Sequence, residues 1–265
     1  MVQSGASGVW GAKAPLFNTQ AHVQTIDVAT LGDDRFLWVW VQKPNASSQA
    51  TLVYGVTSGS GEVVRAEQTI AIDESVVDVA VTPLSGNFAS IVLATAGAQQ
   101  SVLSVLLVNA NGDVQLPAIP IVSSERAFTQ PIAAVRVRDD STLAAWAERV
   151  QGGRYQTHLR TVQDDGTLLA EQVILSVENS DLPSLTTLRG VPAIAYRTRG
   201  QGNQYSIYAE LRLPNGAAFG SAGPTLVSQV GSEPVELAVQ SDRNGLGVAW
   251  VTKSTGSFQY LGCVE

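Results

Sequence analysis

The chain has 265 residues, of which 45 % are hydrophobic and 15 % charged, and a net charge of −7. Such a chain is too apolar to be disordered and long enough to bury a sizeable core. Its acidic balance, with no Lys/Arg cluster, excludes general nucleic-acid binding, which depends on neutralising phosphates. One cysteine, Cys263, excludes an internal disulfide; together with only two histidines, His22 and His158, it leaves little for a zinc site.

From the N-terminus, Met1 to Gly8 carries neither the basic nor the apolar region of a secretory signal. Residues 1–11 read as a flexible arm. Every apolar run is strand-length, far short of the ~20 residues a membrane-spanning helix needs, so a soluble protein made in the cytoplasm is expected. An extended segment follows at Pro15-Leu16-Phe17-Asn18. Then comes an alternating strand, Gln24 to Val28, and a second, Leu37-Trp38-Val39-Trp40, ending in an aromatic residue.

That second type of strand recurs at Ser90-Ile91-Val92-Leu93, Leu143-Ala144-Ala145-Trp146, Ala193-Ile194-Ala195-Tyr196 and Gly247-Val248-Ala249-Trp250. Its last position falls at 40, 93, 146, 196 and 250, in steps of 53, 53, 50 and 54. An independent marker is an apolar strand ending in a small polar residue, with ends at Asn18, Asp73, Ser123, Ser176 and Ser228 and the same period. Within a period four strands are legible. In the third they are Ile132–Val137, Thr142–Glu148, Tyr155–Val162 and Glu171–Ser176, separated by Asp-Asp, Gly-Gly and Asp-Gly turns. The dipeptides Asn111-Gly112 and Asn215-Gly216 predict tight hairpins with positive φ at both central residues.

Four-stranded units repeated at this interval resemble the blades of the broad β-propeller class. The resemblance is architectural and covers the chain beyond residue 11. It implies an all-β, closed five-bladed ring, with blades at 19–73, 74–123, 124–176, 177–228 and 229–265. After Trp250 only one further strand fits, Ser257 to Val264, so residues 12–18 are expected to complete the fifth blade as its closing strand.

Strand alternation puts Trp40, Trp146, Tyr196 and Trp250 on one face, packing between blades or offering rings to a sugar. Leu93 in the same slot favours packing. Three residues beyond the slot stand Lys43, Arg149, Arg199 and Lys253. They form a basic rim that either makes surface ion pairs or receives an acidic glycan or a protein partner. Acids cluster in the turns of the opposite face, without the spacing of a calcium loop. Asp27, Asp78 and Glu236 lie on innermost strands, where paired carboxylates would perform glycoside hydrolysis or simply line a wet channel. Against catalysis, the third inner strand has no carboxylate and all loops are short. No metal or cofactor is expected. The leading expectation is therefore a non-enzymatic binding or assembly module, such as a virion tail or capsid-surface component; the alternative is a glycoside hydrolase-like enzyme.

Overall fold

A computed structural model describes residues 17, 21–32, 34–45, 47–138, 140–174, 179–200, 202, 204–220 and 223–262. The chain is built from five antiparallel sheets that follow one another in sequence. The first holds β1 (His22–Thr30), β2 (Arg35–Lys43), β3 (Thr51–Ser58) and β4 (Val63–Ile70). The second holds β5 (Ser75–Pro83), β6 (Phe88–Ala96), β7 (Ser101–Asn109) and β8 (Val114–Ser124). The third is β9 (Phe128–Arg138), β10 (Ser141–Arg149), β11 (Tyr155–Gln163) and β12 (Gln172–Val173). The fourth is β13 (Ser180–Leu188), β14 (Val191–Arg199), β15 (Tyr205–Leu211) and β16 (Thr225–Val230). The fifth has three described strands, β17 (Pro234–Ser241), β18 (Gly245–Thr252) and β19 (Gly256–Gly262). No helix among the described residues is long and apolar enough to cross a membrane.

Each sheet is a blade, and the first strand of each packs beside the first strand of the next: β1 by β5, β5 by β9, β9 by β13 and β13 by β17. Between blades the contact is apolar. Trp146 of β10 is fully buried against Val92, Leu103, Val105 and Ile121 of the second blade. Tyr196 of β14 is buried against Leu143, Leu159 and Ile174 of the third. Trp250 packs on the fourth, among Ala195, Ile207 and Ala209, and Leu93 on the first, among Leu37, Val39 and Leu52. The wedge between blades widens outward, so a large ring at a fixed position fills it. In two of the slots the indole N–H finds an acceptor two residues on: Trp40 donates to Gln42 at 3.0 Å and Trp146 to Glu148 at 3.2 Å. A buried Trp needs such a partner.

Four turns between third and fourth strands share one geometry. Gly61, Gly112, Gly166 and Gly216 have φ near +80° (87°, 78°, 87° and 83°). Each donates its N–H to the residue three before it. Only the glycine takes positive φ, so Asn111-Gly112 and Asn215-Gly216 do not form the two-residue turns the sequence suggested. They are type I turns closed by a left-handed glycine, which widens the hairpin by one residue. In the third blade the described outermost ladder is Gln172–Val173, extended by main-chain bonds from Ile174 N–H to Thr157 O and from Leu169 N–H to Thr161 O, both at 2.9 Å. Side chains add to it: His158 meets Glu171 at 2.6 Å, and Arg160 donates to Leu169 O at 2.9 Å.

The expected closing strand at 12–18 lies outside the described residues, except Phe17, and Cys263 lies outside them too.

The wedge account makes a stability prediction. Trp146→Ala should cost about 3–5 kcal/mol in urea unfolding, and Trp146→Phe distinctly less. A loss below about 1 kcal/mol would show that the ring does not fill the gap.

Candidate functional site

Every inner strand breaks register with its neighbour at the same level. The shifts fall between Val23 and Thr25, Val76 and Asp78, Asp181 and Ser184, and Pro234 and Glu236, and in β9 opposite the step from Ala145 to Ala147. Bulges re-aim side chains and leave main-chain groups without ladder partners. Here they turn Thr25, Asp78, Gln130 and Glu236 toward one end of the axis, where they line a cavity of about 740 Å³. His22, Gln24, Val77, Pro131, Val235 and Trp250 complete much of its wall. Gln130 donates its side-chain amide to Val77 O, tying β9 to β5 at the mouth.

The inner-strand carboxylates have a different occupation from the one expected. Asp27 accepts the N–H of Val28 at 2.8 Å and, across the blade boundary, that of Val81 at 2.7 Å. Asp78 accepts the N–H of Val79 at 2.9 Å and that of Ile132, in the next blade, at 2.8 Å, with Thr25 bonded to it as well. Hydroxyls do the same elsewhere. Thr82 Oγ1 accepts Arg136 N–H at 3.0 Å, Ser184 Oγ accepts Val239 N–H at 3.0 Å, and Ser241 donates to Thr187 O at 2.6 Å. Adjacent inner strands belong to separate sheets, so these main-chain groups would otherwise lack protein partners, which is costly when buried. Asp27 and Asp78 are clasps between blades, and Asp78 also lines the cavity. Burial nonetheless outweighs their hydrogen bonds and holds both carboxyls above the ordinary value.

Glu236, the third candidate, is exposed at the cavity edge. The four rings are placed differently from the acids: Trp146 and Tyr196 are fully buried, Trp40 and Trp250 nearly so. Only Trp250 also touches the cavity. The basic residues end the second strands at the cavity's end of the axis. Lys43 pairs across β1 with His22, and Lys253 follows Thr252, the partner of Pro234. Arg149, Arg199 and Lys253 are exposed and Lys43 is partly so. Arg199 sits over the Tyr205 ring at 5.8 Å. Among the described residues, none forms an ion pair with Lys43, Arg149 or Lys253.

Two residues escaped the sequence reading. Arg197, on the buried side of β14, grips Asp181 through two nitrogens at 2.5 and 2.6 Å, reaches Glu233 at 3.2 Å and donates to Pro234 O. It ties blade 4 to blade 5 with a cation. Its signal was an Arg following Tyr196 in an otherwise apolar strand. Gln130 carried no pattern signal at all. No three His, Cys, Asp or Glu side chains converge as metal ligands among the described residues.

No protein-family model and no curated protein matches the sequence. Solved structures share the fold. The β-propeller domain of the Trilobed protease from Pyrococcus furiosus is 12 % identical at a TM-score of 0.52, over 92 % of this chain and 70 % of that one. A Hadza microbial sialidase is 12 % identical at 0.56, over 92 % and 53 %. A thermostable family-43 glycoside hydrolase is 10 % identical at 0.52, over 94 % and 92 %. This chain is a β-propeller. The likeness extends to architecture alone, because one such fold carries many unrelated activities.

The raised carboxyls predict a pH dependence. A folded acid that holds its proton more tightly than the unfolded one contributes stability that is complete below the ordinary value of 3.8. That contribution is lost as the pH rises through the folded value. Asp78→Asn, neutral at every pH, should remove this component. Urea unfolding above pH 3.8 should show the variant gaining on the parent, by up to about 1.4 kcal/mol per pH unit. A constant difference between the two proteins would contradict the shift.

Proposed function

We propose that this propeller is a non-enzymatic binding module that takes an acidic oligosaccharide at the bulged end of its axis. The observation that carries the reading is the commitment of Asp27 and Asp78 to main-chain amides of the next blade. Hydrolysis by paired carboxylates needs two groups free to approach the scissile bond. The cavity instead offers binding chemistry. Its volume lies in the range of small-ligand sites, and His22, Gln24, Thr25 and Gln130 supply donors and acceptors for hydroxyl groups. Apolar Val77, Pro131 and Trp250 give surface for the C–H face of a sugar. Lys43, Arg149, Arg199 and Lys253 stand at the same end and draw in negative charge. A virion setting for the module belongs to the proposal too and rests on the sequence alone: compact blades and short turns suit a particle component. Capsid or tail genes beside its own would support that setting; sugar-transport genes would oppose it.

Calorimetric titration with sialylated or sulfated oligosaccharides, against neutral ones of equal length, tests the ligand class. Acidic ligands should bind more tightly, and the difference should shrink as salt rises. Arg149→Ala and Lys253→Ala should each weaken binding about threefold to fivefold, the scale of one exposed ion contact. Gln130→Ala should weaken acidic and neutral ligands alike. No binding at high protein concentration, or equal binding of neutral glycans, would refute the proposal.

A second reading has one specific observation in its favour. Asp78 and Glu236 line the same cavity, and a carboxyl kept protonated by burial is suited to general acid catalysis. Turnover of aryl glycosides that disappears in Asp78→Asn and in Glu236→Gln would establish it. Absent turnover, or turnover unchanged in Asp78→Asn, would remove it.

A further inference from the structure

Charge at the bulged end of the axis is arranged in two zones. The residues that line the cavity include the acids Asp78 and Glu236 and no Lys or Arg. Asp27 is near enough to act on Asp78 through its charge. The bases stand one strand farther from the axis. Lys43, Arg149 and Arg199 end β2, β10 and β14, and Lys253 follows β18, whereas Asp78 and Glu236 belong to the inner strands β5 and β17. A ligand that spans rim and cavity therefore passes from positive to negative surroundings within about one strand spacing, roughly 5 Å. The two acids differ in what they have left to offer. Asp78 is 5 % exposed, and its two oxygens already accept the amides of Val79 and Ile132. Glu236 is exposed beside the register shift that follows Pro234, and among the described residues none bonds to or pairs with its carboxylate. A ligand that carried negative charge into the cavity would meet that carboxylate as a like charge.

We propose that Glu236 receives an ammonium group, so that the ligand is an acidic oligosaccharide whose sugar in the cavity bears an unsubstituted amine. The inference rests on the reading of this end as an acidic-glycan site and narrows it to an amino-sugar glycan with its anionic groups directed outward. An ammonium has several N–H donors and no acceptor. The Glu236 carboxylate offers it a charge-assisted bond, about twice as strong as a neutral one. Gln24 and Gln130 line the same cavity and carry amide oxygens for the remaining donors. Gln130 spends its NH₂ on Val77 O, which leaves its own oxygen to accept. An N-acetyl group removes the positive charge and all but one of those donors, and an N-sulfo group adds a like charge next to Glu236. Sulfate or carboxylate groups on the neighbouring sugars fall toward Lys43, Arg149, Arg199 and Lys253. The two zones also set direction. A glycan entering the other way round would place its ammonium against the basic rim and an anion against Glu236, and both contacts repel.

Calorimetric titration of the full chain with three sulfated tetrasaccharides tests the inference. The three are identical except at the glucosamine nitrogens, which are unsubstituted, N-acetylated or N-sulfated. If attraction to the basic rim alone decided affinity, the N-sulfated form would bind most tightly and the unsubstituted form least. The inference expects the reverse order, with the unsubstituted form about fivefold or more tighter than the N-acetylated one, the scale of a charge-assisted bond. In Glu236→Gln that preference should fall below about twofold, because the amide keeps the shape and removes the charge. Arg149→Ala should weaken all three and keep their order. An N-acetylated or N-sulfated form that binds as tightly as the unsubstituted one would overturn the inference and leave the acidic-glycan reading standing. A preference that survives Glu236→Gln would do the same. Failure of all three to bind would overturn both.

Discussion

Neighbouring blades share no β-ladder, so side chains must hold each blade to the next. That constraint explains most of what is distinctive in the molecule. The apolar part is a wedge filled by Leu93, Trp146, Tyr196 and Trp250. The polar part is a set of side-chain-to-main-chain bonds between inner strands, from Asp27, Asp78, Thr82, Ser184 and Ser241. Burial of the rings is worth more than any single polar bond. The polar bonds are directional, however, and fix the height of one blade against the next.

The same clasps shape the candidate site. The inner edges of the blades leave main-chain N–H groups without ladder partners, and the acids that satisfy those groups are the ones a sequence reading assigns to catalysis. Asp78 belongs both to the clasp and to the cavity wall. Its bond to Ile132 therefore couples the shape of the cavity to the packing of blades 2 and 3. Arg197 performs the equivalent task at the junction of blades 4 and 5, where a guanidinium held by Asp181 of its own blade reaches Glu233 and Pro234 O of the next.

The blades were legible in the sequence because ring and turn recur at fixed positions. Trp40, Leu93, Trp146, Tyr196 and Trp250 mark one strand in every period, and alternation within that strand gives the buried face. What alternation cannot give is the geometry between blades. It depends on bulges, and a bulge leaves no periodic trace when its residues are as varied as Gln24, Val77, Gln130, Leu182 and Val235. For that reason Asp27 and Asp78 read as axial acids, although each spends its second oxygen on a strand 54 residues away. The Asn-Gly turns were misjudged for a related reason: the dipeptide fixes where the chain reverses, and the strand register fixes the loop size. The basic rim was legible, since it is a fixed offset from the ring.

The account turns on carboxylates that bond to main chain across a blade boundary, and one measurement addresses that directly. Proton chemical shifts of the Val81 and Ile132 amides can be followed against pH by NMR. Each should move through a titration with a midpoint above 3.8, the Ile132 shift vanishing in Asp78→Asn and the Val81 shift in Asp27→Asn. Amides that do not titrate, or that titrate unchanged in those variants, would mean that the blades are not clasped in this way.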